Sequence, residues 1–405
     1  MNYLEDVLLN RKISKIMLFR YSDICHNLLN ALNMFVIREL DIRGIKYEIV
    51  DASGSAEVFI RDIFDKLDDS YDAALAFNSS GIHNILDVDG ESLFDKYNIH
   101  FYNWIVDHPI SNLNYLSTKC SDYNMFCMDR QHVLFVKRFY PDIKKVSFLP
   151  LGGIPNDAGN KIPIKEREYD IAFPGGLMPL SLQETLDIFN KYPDPNREII
   201  LNLIDFMLNN RETDVVIAVE TVLKDRFGIT ELDWKNRCAV LELADSANNF
   251  MRAFFREEVI RHLANSGLDF HIFGDGWKER IGYGYGYTVF HKGVDYLHSG
   301  DIFNRSKILL NVMPCFKDGT HDRIASGMLH NTLVVTDHSK FLDELQKDIL
   351  CFYDINEVNC LSGQIKEMLA NVADMQMISD RGFDYAEEKF TWSVTVDRML
   401  CEMNE

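Results

Sequence analysis

The chain has 405 residues, a formal net charge of −20, 47% hydrophobic and 26% charged residues. One hydrophobic core seldom grows to that length, so two domains are expected, and the composition is that of a folded protein rather than a disordered one. The acidic balance excludes nucleic acid as a general partner, because phosphate binding needs a surplus of Lys and Arg. It disfavours broad adhesion to anionic lipid too, although a local basic patch stays compatible with peripheral membrane association.

In chain order, Met1–Lys15 is charged throughout and lacks the apolar stretch of a secretory leader, so none is expected. Lys15–Phe19 reads as a strand, Asn27–Gly44 as an amphipathic helix and Tyr47–Val50 as the next strand. Ala73–Phe77, Phe101–Val106, Asn124–Met128 and Val146–Leu151 continue the series, with helical periods between them. Several of these runs stop at turn residues: Asp107-His108-Pro109, Asp129 and Gly152-Gly153. Short apolar runs separated by helices predict a parallel sheet.

From Ile154 to Glu168 the composition shifts to Pro, Gly, Asn, Lys and Glu, which marks a linker. A second alternating block opens at Tyr169–Phe173, closed by Pro174-Gly175-Gly176, and continues through Phe270–Phe273, Ile308–Met313, Leu333–Thr336 and Ile349–Tyr353. Helices are expected near Asn196–Asn210, Phe250–Ser266 and Asp380–Met403, while the insert Leu182–Asp245 carries no chemical signal. The fold class is therefore α/β, with two Rossmann-like domains facing a cleft: 1–160, 161–380, and a C-terminal helical segment over 381–405. Eight cysteines form no C-x-x-C pair, so no structural metal is expected and a reducing, cytoplasmic setting fits.

The stretch Asn311–Asp337 concentrates chemistry. Lys317, Asp318, Thr320, His321, Asp322 and Arg323 crowd one strand-to-helix loop. In an open parallel sheet such loops collect ligands, and the following helix aims N–H groups at anions. Those residues suit a sugar and a diphosphate, and they equally suit a solvated turn. Gly175 and Gly176 after the first strand of the block, and Gly274 before Trp277, allow close backbone approach or simply a turn. The alternating Gly282–Tyr287 run suits ring stacking on a ligand, and equally a hairpin tip.

Phe273-Gly274-Asp275-Gly276-Trp277, His291-Lys292-Gly293, Asp322-Arg323-Ile324 through Val334-Val335-Thr336-Asp337 and the tail Phe390-Thr391-Trp392 form an ordered set. This set resembles the C-terminal half of bacterial group 1 glycosyltransferases of the GT-B fold, and within them the spore-maturation-type branch with a degenerate N-terminal half. Asp107-His108-Pro109 and Leu149-Pro150-Leu151-Gly152 are weaker matches in the first half. The resemblance implies a UDP-, GDP- or dTDP-linked sugar donor held by the C-terminal domain and an acceptor held by the N-terminal domain. It also implies no required metal and a C-terminal helix that crosses back to the N-terminal domain. Glycan, lipid-linked and protein acceptors all remain open, and so does the oligomeric state.

On that resemblance, Arg323 is the first choice for stabilising charge on a leaving diphosphate, with Lys317 and Lys292 in reserve. His321 is expected to donate to a phosphate or sugar oxygen, and Asp318 to accept from sugar hydroxyls. Ser326 stands where retaining members often carry a glutamate that contacts the ribose, with Asp318 eight positions earlier. The Arg or Lys often found after the first strand of the domain is missing from Gly175-Gly176-Leu177-Met178. If transfer inverts configuration a base must take the acceptor proton; Asp107 is the candidate, with His108 beside it and Asp129, Asp23 and His26 at neighbouring strand ends. A non-catalytic sugar- or nucleotide-binding protein and a nucleotide-sugar epimerase are the competing readings. A nicotinamide enzyme is disfavoured because the first strand runs into Arg20-Tyr21-Ser22-Asp23 and not a glycine-rich turn.

Overall fold

The computed structural model describes residues 13–23, 26–79, 81–156, 159, 161–282 and 286–405. They divide into two compact units. The first comprises Met1–Gly152, Asp295–Leu297 and Glu388–Glu405; the second comprises Gly153–Val294 and His298–Glu387.

The first unit is built on six parallel strands: β1 (Lys15–Arg20), β2 (Lys46–Asp51), β3 (Ala73–Phe77), β4 (His100–Ile105), β5 (Tyr123–Cys127) and β6 (Lys145–Phe148), in the spatial order β2-β1-β3-β4-β5-β6. β3 and β5 are buried along their whole length, as their continuous apolar runs require of central parallel strands. The helix Leu28–Arg43 ends where Gly44 takes φ 66°, a left-handed stop that glycine adopts without strain. The C-terminal helix Trp392–Asn404 belongs to this unit, and Trp392 stacks on Phe35 of that first helix at 5.3 Å.

The second unit repeats the plan with β7 (Tyr169–Pro174), β8 (Phe270–Phe273), β9 (Thr288–His291), β10 (Ser306–Leu310), β11 (Leu333–Thr336) and β12 (Cys351–Phe352). Their spatial order is β12-β11-β10-β7-β8-β9, all parallel. Arg167, only 4% exposed, holds this unit together from below: its guanidinium donates to the carbonyls of Ile162, Phe303, Ser306, His330 and Asn331 and to Thr332 Oγ1.

Some elements differ from the sequence expectation. β9 was not anticipated. The helix expected at Phe250–Ser266 is the second half of a 31-residue helix, Trp234–Ala264. The tail is two helices, Val372–Lys389 and Trp392–Asn404, because the Thr391 hydroxyl accepts from Val394 N–H and caps a new start. Among the described residues no helix is long and apolar enough to cross a membrane.

Candidate functional site

In an open parallel sheet the ligand crevice lies beyond the carboxyl ends of the strands, where the strand order reverses. In the second unit that reversal falls between β7 and β10. β7 delivers Gly175 and Gly176 there, and β10 delivers Asn311 and the loop running to His321.

The glycines divide their labour. A Cβ on Gly274 would lie 2.3 Å from the Gly175 carbonyl oxygen, and one on Gly175 would lie 2.5 Å from the Phe173 ring. Both positions are thus dictated by packing of the β7 and β8 ends, which the buried Trp277 completes by donating from Nε1 to Gly175 O at 2.8 Å. Trp277 is core. Gly176 has open space where a side chain would be.

Positive charge converges on this spot. Arg252 and Arg256 lie one turn apart on the helix Trp234–Ala264; Arg256 donates from Nη1 to Gly176 O at 3.2 Å, and Arg252 reaches Met178 Sδ at 3.6 Å. Arg323 donates from Nη1 to Oδ1 of the buried Asn311 at 2.8 Å, and its guanidinium lies 5.5 Å from the centre of the Phe173 ring. Asn311 is itself fixed, since its Nδ2 donates to Thr336 Oγ1 at 2.9 Å. Burial pulls the Arg256 guanidinium down to about 9, and the like charges of Arg323 and Arg252 act in the same direction. Arg256 Nε is buried without a hydrogen-bond partner among the described residues.

Lys317 adds a fourth cation. Its ammonium donates to Arg211 O, and burial depresses its basicity against the opposing pull of Cys315 and Asp337. The carboxylate of Asp337 is buried in the same cluster and accepts from Met313 N–H at 2.9 Å; desolvation pushes it up to about 6. Burial disfavours its ionised form, and a single carboxylate offsets only part of the charge of three guanidiniums and an ammonium. The arrangement therefore favours an added polyanion, which would relieve the mutual repulsion and offer acceptors to the buried N–H groups.

The loop residues are placed as follows. His321 caps the helix Asp322–Leu329: its Nδ1 accepts from Arg323 N–H at 3.2 Å and lies 2.7 Å from the buried Asp322 carboxylate. Burial lowers its basicity, with Asp322 opposing. Thr320 is buried, Lys317 and Asp318 are half-buried, and Lys292 is exposed after β9. Two bonds tie the loop down: Lys340 N–H to Lys317 O at 3.0 Å and the Ser339 hydroxyl to Gly319 O at 2.7 Å.

Ser326 departs from the role expected of it. It is fully buried, its hydroxyl donating to Asp322 O at 2.8 Å and accepting from Ile154 N–H at 2.9 Å. It anchors the start of the second unit and presents nothing to a ribose. The Gly282–Tyr287 run falls in part on 283–285, outside the described residues.

Asp107 and His108 belong to the first unit, at the carboxyl end of β4. Asp107 is half-buried, and its Oδ2 accepts from Asn78 Nδ2 at 3.2 Å. His108 is buried, accepts from Ile110 N–H at its Nδ1 and packs 4.3 Å from the His132 ring. That geometry makes it a cap for the turn Pro109–Asn112. Asp129 likewise caps the helix Arg130–Phe139.

Arg252, Arg256, Asn311 and Asp337 are the site residues that sequence reasoning missed. The only available signal for the arginines was their i, i+4 spacing among Met251, Phe255 and Val259, which usually means a solvated stripe. Arg256 lies beside Gly176, after the strand β7, where the sequence itself carries no cation. Among the described residues no group of three or more His, Cys, Asp or Glu is arranged to hold a metal ion.

Comparison with known proteins bears on the fold. Residues 252–401 match the family model described as glycosyl transferase-like. No curated protein sequence matches the chain. Among solved structures, an α-glucosyltransferase in complex with UDP and a 13-mer DNA superposes with a TM-score of 0.57 at 10% identity, covering 96% of this chain and 99% of that one. Sucrose-phosphate synthase from Thermosynechococcus elongatus gives 0.53 at 10% identity over 95% and 97%. HepE of Anabaena in complex with UDP-glucose gives 0.50 at 10% identity over 96% and 98%. The chain has the GT-B fold of these enzymes, two Rossmann-like domains.

Proposed function

We propose that the protein is a glycosyltransferase that moves a sugar from a nucleotide-sugar donor to a hydroxyl acceptor. The observation that carries this reading is the convergence of Arg252, Arg256, Arg323 and Lys317 at the strand-order reversal of the second unit. Transfer from a nucleotide sugar leaves a nucleoside diphosphate, whose growing charge needs donors already in place. Gly176, open beside Arg256, supplies room for the same anion, and the positive end of the helix Asp322–Leu329 adds to the cluster.

In this reading the second unit takes the donor. Arg323, Arg256 and Arg252 bind the diphosphate, His321 and Thr320 face its oxygens, and Asp318 accepts from the sugar. Lys317 and Asp322 tune the charge of the cluster, and Lys292 is an outlying cation. Packing at Gly175 and Gly274 shapes the floor. UDP is the first nucleotide to try, since the similar α-glucosyltransferase and HepE were each solved with UDP or UDP-glucose; GDP and dTDP follow. The first unit takes the acceptor, with Asp107 receiving the hydroxyl proton if transfer inverts configuration and contacting the acceptor if it retains it. We place the enzyme in the cytoplasm, acting without a required metal on a glycan, lipid-linked or protein acceptor, and within the spore-maturation-type branch by its motifs.

Turnover tests this directly. Purified protein incubated with UDP-glucose, GDP-mannose and dTDP-glucose should release free nucleotide from one of them, slowly with water as acceptor, and Arg323→Ala should abolish the release. A donor that binds but stays intact would favour a nucleotide-sugar-binding protein instead. One observation leans that way: Ser326 is buried where many retaining enzymes carry a ribose-binding glutamate.

A further inference from the structure

The insert between β7 and β8, Leu182–Asp245, carries no chemical signal in the sequence, yet two of its helices build a cleft. Asn196–Asn209 and Val215–Phe227 pack together, and Leu203, Met207, Val219 and Leu223 on them are buried. Asp214 starts the second helix by accepting from Val216 N–H at 2.8 Å, and Gly228 ends it at φ 66°. Between the two helices opens a cavity of about 310 Å³, at the lower end of the range of roughly 300–1,000 Å³ that small-molecule sites occupy.

The cleft is rich in hydrogen-bond acceptors. Asn202, Asn209 and Asn210 each donate an amide N–H to the carbonyl four residues back, of Glu198, Asp205 and Phe206, at 2.7, 2.8 and 2.8 Å. The Thr221 hydroxyl does the same toward Ile217 O at 2.8 Å. These bonds pin four side chains to their own helices and leave each with an oxygen to offer. Asp205 and Asp225 add two carboxylates, and Arg226 is the one cation among the lining residues. Val222, 3% exposed, and the half-buried Phe206 give the cleft an apolar base.

We propose that this cleft binds one sugar residue of a neutral glycan, apart from the cation cluster. Acceptors that outnumber donors select a guest rich in hydroxyl donors, and a pyranose ring also has an apolar C–H face to lay on Phe206. Two carboxylates against one guanidinium repel a nucleoside diphosphate. A hydrated metal ion gains nothing from the apolar base, and among the described residues no group of three or more His, Cys, Asp or Glu is arranged to hold one. The cleft is tied to the rim of the cluster through Arg211, the residue after Asn210. The Arg211 carbonyl accepts from the Lys317 ammonium, and its guanidinium grips both carboxylate oxygens of Glu258, at 2.7 and 3.3 Å. The inference does not depend on turnover at the cluster: a protein that only binds a donor there would keep this second site.

Saturation-transfer NMR of the wild-type protein with glucose, galactose, mannose, N-acetylglucosamine, maltotriose and chitotriose tests it. At least one sugar should receive saturation, strongest on the ring protons of one face. The double variant Asp205→Ala with Asn209→Ala changes two exposed positions of the first helix, so melting should stay near the wild-type value while the affinity for that sugar falls about tenfold or more. Asp225→Ala, exposed on the facing helix, should weaken it too. Arg323→Ala and added UDP should both leave the signal unchanged. A signal that survives the cleft variants, or that UDP or Arg323→Ala erases, would overturn the inference by placing the sugar elsewhere. Transfer to none of these sugars would overturn it as well, and binding of spermidine but of no sugar would replace it with a cationic guest.

Discussion

Arg256→Met should make the free protein more stable and the bound protein weaker. Methionine keeps the length of the stem that packs along the long helix while removing the charge. A guanidinium pulled down to about 9 from an ordinary value above 12 loses about 4–5 kcal/mol of favourable ionisation at 1.36 kcal/mol per pH unit. The residue is half-buried, so solvent screens part of this and about 1–3 kcal/mol is the reasonable gain. At roughly 2–4 °C per kcal/mol for a unit of this size, melting should rise by about 2–12 °C. Affinity should move the other way. A hydrogen bond to a charged group contributes about 1.5–3 kcal/mol, so the dissociation constant of the nucleoside diphosphate should rise about 10- to 150-fold. Differential scanning fluorimetry with and without UDP reads both effects from one sample. A variant that melts no higher than wild type, or that keeps the full UDP-induced shift, would refute the claim that Arg256 is held in a repulsive cluster for an anion.

Three further outcomes follow from the buried groups. Asp337 has a folded-state pKa raised to about 6, so its contribution is complete below the unfolded carboxyl value and is lost as pH rises toward 7. The loss is about 3 kcal/mol at most, and Asp337→Asn should gain that much over wild type at pH 7 and under about 1 kcal/mol at pH 4 in urea unfolding; equal gains at both pH values would contradict the cause assigned. His83 stacks on Tyr123 at 4.5 Å and is pulled down to about 4 by burial, with the Ser117 carbonyl opposing. Its contribution is present above pH 6.5 and disappears as pH falls toward 4, so hydrogen exchange of β4 and β5 should accelerate over that window, and the dependence should flatten in His83→Gln. Arg167→Ala strips several buried carbonyls of their donor and should cost at least about 3 kcal/mol; an expressed, wild-type-stable variant would show those carbonyls satisfied another way.

Most strands were legible because each is a short apolar run closed by a turn residue, as at Phe77, Ile105 and Thr336. β9 was not, since Thr288–His291 is an edge strand whose Val289 is 41% exposed, and edge strands lack the continuous apolar run of central ones. The long helix was read short because Asn236, Asp245, Asn248 and Asn249 interrupt its first half, and tertiary packing outweighs their weak local preference. The loop 317–323 stood out by composition alone, and its placement at the strand-order reversal follows from topology. What composition could not supply was direction. Ser326 occupies the anticipated position yet points into the protein, His108 faces His132, and two arginines on the helix before β8 reach Gly176 and Met178 because their helix packs there. Side-chain direction emerges from packing between elements distant in sequence, which periodicity does not encode.

The central claim is that the cluster around Arg256 binds a nucleoside diphosphate. Calorimetric titration of the wild-type protein with UDP, GDP and dTDP, each beside its nucleoside monophosphate and free nucleoside, tests it most directly. One series should bind in the order diphosphate, monophosphate, nucleoside, with about tenfold or more lost at each removal of a phosphate. Equal affinity for diphosphate and nucleoside, or no binding in any series, would contradict it.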